Sequence, residues 1–274
     1  MLRLLAVAAL VGCTHSAGDG LLPGESIGDA PATRVGDQPC SNAYDINGDG
    51  TVDVFWTYNL DERGRDVHDV GRVVAGGPNM TMDSTWDYLD HLTYFVEVDA
   101  PDSRYSYTAL YDTIGNNVEI TYNDTFGTDP PYVDHTVNSD FDDLGHPAQS
   151  VQTVTGSPLV HTTYLYDAAG RLVESHADNN DDGSIDGVTT VIYDEVARAV
   201  TSSTTNTDGS SRLRVRTYDA DYFLKSIHLE RVGTDGTRDV TDYLIEHQGN
   251  RVTSDRYVNN GMVLFVDTYR YDCR

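Results

Sequence analysis

Two nine-residue stretches carry oxygen-bearing side chains at alternating positions. DINGDGTVD at 45–53 and DNNDDGSID at 178–186 share the pattern D-x-N-x-D-G-x-[VI]-D. Alternating carboxylate and amide oxygens can wrap a hard cation, and glycine at the sixth position permits the sharp bend such wrapping needs. The expected ion is calcium. The expected donors are the side chains of Asp45, Asn47, Asp49 and Asp53 with the carbonyl of Thr51, and those of Asp178, Asn180, Asp182 and Asp186 with the carbonyl of Ser184. Position twelve is Trp56 in one stretch and Thr189 in the other, so neither supplies a bidentate Glu. Affinity is therefore expected in the weak, extracellular range of roughly 10⁻⁴–10⁻³ M. The competing reading is a pair of ordinary Asp-Gly turns like Asp208-Gly209 and Asp235-Gly236, which lack the preceding Asp and Asn donors.

No other group of residues forms a recognisable reaction centre. The chain has no G-x-S-x-G, no H-E-x-x-H and no glycine-rich loop opening a helix. His68, His91, His146, His176 and His228 share no spacing. The chain is read as a non-enzyme, with a secreted hydrolase whose site is assembled from distant segments as the alternative. Its net charge of −26, from 18 basic and 44 acidic residues, repels polyanions, so nucleic acid is not an expected partner.

The elements that must position the two loops are strands. A phrase ending in Asp returns about every 26 residues, at Asp61, Asp87, Asp112, Asp142, Asp167, Asp194, Asp219, Glu246 and Asp272. About midway between these come Asp-Gly, Asn-Gly or Pro-containing turns, as at Asp49-Gly50, Gly156-Ser157-Pro158, Asp182-Gly183 and Asn260-Gly261. Such pairs supply positive φ or fix it, and they punctuate strands. Two turns per period leave two strands of roughly 8–10 residues. The intervening Val, Thr, Tyr and Ile suit a pleated sheet. Helical periodicity is absent beyond the extreme N-terminus.

The fold class is thus all-β: an antiparallel meander of about nine hairpin repeats forming a curved, coiled or closed sheet. Alternation sets Leu213, Val215 and Thr217 on one face and Arg212, Arg214 and Arg216 on the other. With polar groups on both faces, a thin sheet held by cross-strand Tyr and Thr pairs is expected rather than a thick sandwich. An outer-membrane barrel is disfavoured for want of a continuous apolar face.

The phrase Tyr166-Asp167-Ala-Ala-Gly170-Arg171-Leu172 resembles the YD-repeat, or Rhs-repeat, family of bacterial toxin shells and teneurin ectodomains. Tyr111-Asp112 with Gly115, and Phe141-Asp142 with Gly145, are good matches; Tyr193-Asp194 and Tyr218-Asp219 keep only the first half. The resemblance covers most of the chain from about residue 41 and implies hairpins wound into a spiralling sheet. The two acidic loops resemble the calcium loops of EF-hands, dockerins and thrombospondin type 3 repeats, here without flanking helices.

The first residues, MLRLLAVAALVGC, read as a signal peptide over 1–12. The apolar run is far short of the ~18–20 residues that cross a bilayer. Leu10-Val11-Gly12-Cys13 resembles the bacterial lipobox, which implies lipid on Cys13 and an outer-membrane or cell-surface address. Residues 13–40 then form a lipidated, disordered tether rich in Gly, Pro, Ser and Asp, followed by the β domain over 41–274. With Cys13 lipidated, Cys40 and Cys273 are left as a possible disulfide, the alternative being two free thiols. A flat meander would hold its ends roughly 80 Å apart, so that bond requires the ends to meet. The expected role is structural, or the display of a Tyr-rich surface to a glycan or protein ligand.

Overall fold

The computed structural model describes residues 39–271, apart from residue 64 and the segments 77–78, 88–90, 101–102 and 127–129. The predicted signal peptide, Cys13, the tether up to residue 38 and Cys273 lie outside the described residues. Eighteen antiparallel strands in one sheet, and no helix, make up the described chain.

In chain order they are β1 (Ser41–Asp45), β2 (Val54–Leu60), β3 (Asp66–Val73), β4 (Met80–Trp86), β5 (Leu92–Ala100), β6 (Ser103–Tyr111), β7 (Asn117–Phe126), β8 (Tyr132–Phe141) and β9 (Pro147–Val154). They continue as β10 (Val160–Tyr166), β11 (Leu172–Asp178), β12 (Gly187–Asp194), β13 (Ala199–Asn206), β14 (Ser211–Tyr218), β15 (Leu224–Val232), β16 (Arg238–Gln248), β17 (Arg251–Asn259) and β18 (Met262–Arg270). Two compact units share these strands. One holds residues up to Trp56, then Tyr166–Glu174 and everything from Gly187; the other holds Thr57–Leu165 and Ser175–Asp186.

The repeat phrase has a hydrogen-bonding cause. At Asp112, Asp142, Asp167 and Asp219, one carboxylate oxygen accepts the N–H groups of residues two and four further on. The Asp N–H donates to the carbonyl four residues later, closing a five-residue turn. The fourth turn residue sits at positive φ, met by Gly115, Gly145 and Gly170, and by Tyr222 at φ 64°. The last turn residue returns to the other Asp oxygen: Asn116, His146 and Arg171 do so. The preceding Tyr serves a different contact. Tyr111, Tyr193 and Tyr271 donate their hydroxyls to the carbonyls of Leu92, Leu172 and Val252. The rings of Tyr111, Tyr193 and Tyr271 pack on His91, Arg171 and Arg251 at 4.3, 4.7 and 4.9 Å. Asp thus closes its own turn, and Tyr ties it to the preceding one.

The periodic alignment misplaces one turn. Glu246 lies inside β16, and the chain reverses at Gly249-Asn250. Gly249 has φ 64°, and a register shift between Glu246 and His247 absorbs the offset. A residue able to take positive φ decides where the turn falls, not the period.

In the first unit, β1 pairs with β18 from Ser41↔Arg270 to Asp45↔Val266, and β1 also pairs with β2. Since β18 pairs with β17 as well, neither the first nor the last strand is a sheet edge. Cys40 continues this seam: its N–H donates to the Arg270 carbonyl at 3.0 Å, and it is disulfide-bonded. The predicted partner, Cys273, is outside the described residues.

One face of each unit is buried, and on β14 it is not the apolar face that alternation would choose. On β14, Arg212 is exposed while Arg214 and Arg216 are 6% and 5% exposed, so the arginine face is the inward one. Val200 and Ile227 flank Arg216 across the strands, and the long apolar stem of arginine packs like an aliphatic residue. Further along that face Tyr44, Tyr243, Tyr257 and Phe265 form an aromatic cluster. The other unit buries Met80, Met82, Phe95, Tyr107 and Ala109, together with Asp69 and Glu97, which flank Met82 on neighbouring strands.

Candidate functional site

The two acidic stretches form the β1–β2 and β11–β12 connections, and their local structures match. In the first, Asp45 is buried. Its Oδ1 accepts the N–H groups of Asn47, Gly48 and Asp49, and its Oδ2 that of Gly50 at 2.7 Å. In the second, Asp178 is buried and accepts from Asn180, Asp182 and Gly183. Asp53 accepts from Ile46 and Asp186 from Asn179, both at 2.9 Å. The N–H of Asp53 donates to Tyr44, and that of Asp186 to Ala177, both at 2.8 Å. Asn47 and Asn180 accept from Asp49 and Asp182, which accept in turn from Thr51 and Ser184.

These bonds set the electrostatics of each loop. The Thr51 N–H and hydroxyl hold the Asp49 carboxyl below the usual carboxylate range. Burial alone would raise Asp178, but the N–H groups of Gly183, Asn180 and Asp182 outweigh it and hold that carboxyl low. The ligand chemistry fits a hard cation: Asp49, Asp53, Asp182 and Asp186 each accept a backbone N–H through one oxygen, and a carboxylate has lone pairs to spare. Among the described residues, however, no three Asp, Glu, His or Cys side chains converge as a metal centre would. The carboxylates point into their own loop backbone.

The backbone of both loops turns left-handed at the fourth and sixth positions. These are Gly48 at φ 68° and Gly50 at φ 88°, against Asp181 at φ 59° and Gly183 at φ 87°. The fourth positions are not interchangeable. A Cβ on Gly48 would lie 2.6 Å from Val263 Cγ1. Gly48→Asp is therefore expected to destabilise by more than the ~1–2 kcal/mol of left-handed strain alone. Asp181→Gly should change stability by less than ~1 kcal/mol, since strain relief opposes glycine's chain entropy. Urea unfolding of both variants checks this; equal losses would mean that Val263 yields.

Outside the loops, His–acid pairs occur at His68–Asp83, which is exposed, and at His228–Asp242, which is half-buried. Ser226 lies on the same face as His228, but its hydroxyl bonds Thr217 at 2.6 Å, so the pair meets no nucleophile there. The expected tyrosine platform is largely turned inward: Tyr44, Tyr58, Tyr107 and Tyr269 are all buried, whereas Tyr132 is 47% exposed.

Sequence reasoning missed a buried acidic pair. Asp255 and Asp267 face each other across β17 and β18, at 1% and 0% exposure. Tyr269 donates its hydroxyl to Asp255 Oδ2 at 2.7 Å, and Asn42 donates its amide to Asp267 Oδ1 at 3.0 Å. Nothing in the local sequence marks these two among so many acids; strand register alone joins them.

No family model matches the chain, and no curated protein does. Among solved structures, a porin-like protein from Bacteroides uniformis is similar at 14% identity and TM-score 0.42, covering 85% of this chain and 96% of that one. The Photorhabdus luminescens Tc holotoxin pore matches at 13% identity and TM-score 0.31, over 79% of this chain and 14% of that one. A TcdB2–TccC3 structure matches at 11% identity and TM-score 0.29, over 80% and 16%. At these scores the resemblance is loose, and the functional reading rests on the chain's own geometry.

Proposed function

We propose that this chain is a calcium-stabilised, YD-type β-scaffold of the bacterial cell envelope, tethered through lipid on Cys13, with a structural role. The observation that carries this reading is the matched pair of loops. Each repeats one hydrogen-bond set and the same left-handed positions, in nine-residue form, where a plain Asp-Gly turn would reverse the chain. A stretch with oxygen donors at every second position has a use beyond reversal, and calcium is the ion those donors suit. The pairing of β1 with β18 supports the scaffold role, because it covers the strand edges that an extracellular repeat protein would otherwise expose. The inward tyrosines favour structure over display of an aromatic surface to glycan.

Native mass spectrometry of the full chain in millimolar calcium tests the proposal. Two calcium ions per chain are expected, falling to one in Asp49→Ala and in Asp182→Ala and to none in the double variant. A count of zero for the wild type ends the calcium reading.

A further inference from the structure

The Asp255–Asp267 pair sits where the chain's first and last strands join. Asp267 lies opposite Asp255 on one side and opposite Tyr44 of β1 on the other. Side chains directly opposite in an antiparallel pair have Cβ atoms only ~4.5–5.5 Å apart, so two ionised carboxylates here would repel strongly. Three oxygens are buried without a hydrogen-bond partner: Asp255 Oδ1, Asp267 Oδ2 and Asn42 Oδ1.

Among the described residues, no Lys or Arg faces the pair from β16, β17, β18 or β1; the buried Arg214 and Arg216 share the inward face but lie on β14, three strands from β17. Ile245 and Tyr243 face the pair from β16, Tyr257 from β17, Phe265 and Tyr269 from β18, and Asn42 and Tyr44 from β1. The titratable groups among these are all phenols. Arg256, the next residue along β17, is exposed on the opposite face. Asp45 bears on Tyr44, and so adds only more negative charge nearby. A buried carboxylate with no counter-charge is strongly disfavoured, and a proton is the smallest group that neutralises it.

We propose that Asp255 and Asp267 form a proton-holding pair that locks the β17–β18–β1 seam in acid, and that their ionisation as the medium becomes neutral and then alkaline loosens it. Bound protons turn two of the orphaned oxygens into donors, with Asn42 Oδ1 and the other carboxyl as nearby acceptors. Burial pushes Asp255 up to about 7, and burial together with the Asp255 charge pushes Asp267 well above the ordinary carboxyl value. Because the folded-state values are raised, the pair's stabilising contribution is complete below the ordinary value of 3.8. It shrinks as the pH rises and is gone for Asp255 once the pH passes about 7.

Two measurements on the full chain test this. In carboxyl ¹³C spectra of aspartate-labelled protein, the resonances of Asp255 and Asp267 should keep their protonated shifts well above the ordinary carboxyl value. Amide exchange over residues 42–45, corrected for intrinsic rates, should rise at least roughly 50-fold from pH 5 to pH 7, the linkage of Asp255 alone between values of 3.8 and about 7, with Asp267 adding to it. Asp255→Asn and Asp267→Asn should each reduce that rise, and the double variant should abolish it. If the Asp255 and Asp267 resonances both titrate below pH 5, or exchange in wild type and double variant responds equally to pH, the proton lock is wrong. A late titration that moves into the acid range when sodium or calcium chloride is added would also overturn it, because a bound cation would then neutralise the pair. The wild-type spectra decide the matter even if an Asn variant does not fold.

Discussion

Phe265→Ala is expected to lower the free energy of unfolding by about 3–5 kcal/mol, the usual cost of deleting a buried aromatic ring. Phe265 is 2% exposed and is the hub of the aromatic cluster. Its ring stacks on Tyr257 at 5.1 Å with 2° between planes, and meets Tyr44 at 5.3 Å and Tyr243 at 6.4 Å. Those contacts draw on β1, β16 and β17, so the ring joins four strands that include the first and the last. Tyrosines tied into neighbouring strands cannot collapse easily into the space the ring leaves, which puts the cost toward the upper part of the range. A typical domain has only ~5–15 kcal/mol to lose. Met262→Ala, three residues earlier on β18 and 66% exposed, should stay within about 0.5 kcal/mol. Urea titrations with unchanged slope would measure both. A loss below about 1 kcal/mol for Phe265→Ala would mean that the cluster is not a packed core.

What the sequence made legible was the punctuation. Asp112, Asp142 and Asp167 are visible as turn residues because one side chain does the same hydrogen-bonding job each time, whatever the neighbouring strands contain. The two acidic loops were legible for the same reason, since their bonds are local in sequence. Glu246 was misread because period alone placed it, while the left-handed turn belongs to Gly249. The inward face was not legible on β14. Alternation reveals a core when one face is apolar, but here the buried side of β14 carries Arg214 and Arg216. The seam acids were hidden more deeply: Asp255 and Asp267 belong to different strands, and only the β17–β18 register makes them neighbours.

Calcium should raise the unfolding free energy by roughly 2.7 kcal/mol per site at a hundredfold excess over the dissociation constant, and by about twice that when both loops fill. Near 10⁻⁴ M affinity, about 10 mM calcium supplies that excess; at 10⁻³ M the gain falls to roughly 1.4 kcal/mol per site. Magnesium should substitute poorly, because it demands near-octahedral geometry and holds its water, whereas flexible oxygen-rich loops suit calcium's higher coordination number. The choice of variant matters. Asp45 and Asp178 each hold several loop N–H groups, so replacing them would damage the loop whether or not an ion binds. Asp49 and Asp182 each accept a single backbone N–H, from Thr51 and Ser184, and are exposed. Asp49→Ala and Asp182→Ala should therefore melt close to wild type in chelator yet each lose half of the calcium-dependent gain. Melting curves in calcium, magnesium and chelator measure this directly. Identical wild-type curves in all three would make the loops hydrogen-bonded turns and nothing more, and the scaffold would then depend on its strand pairing, its aromatic cluster and the Cys40 disulfide.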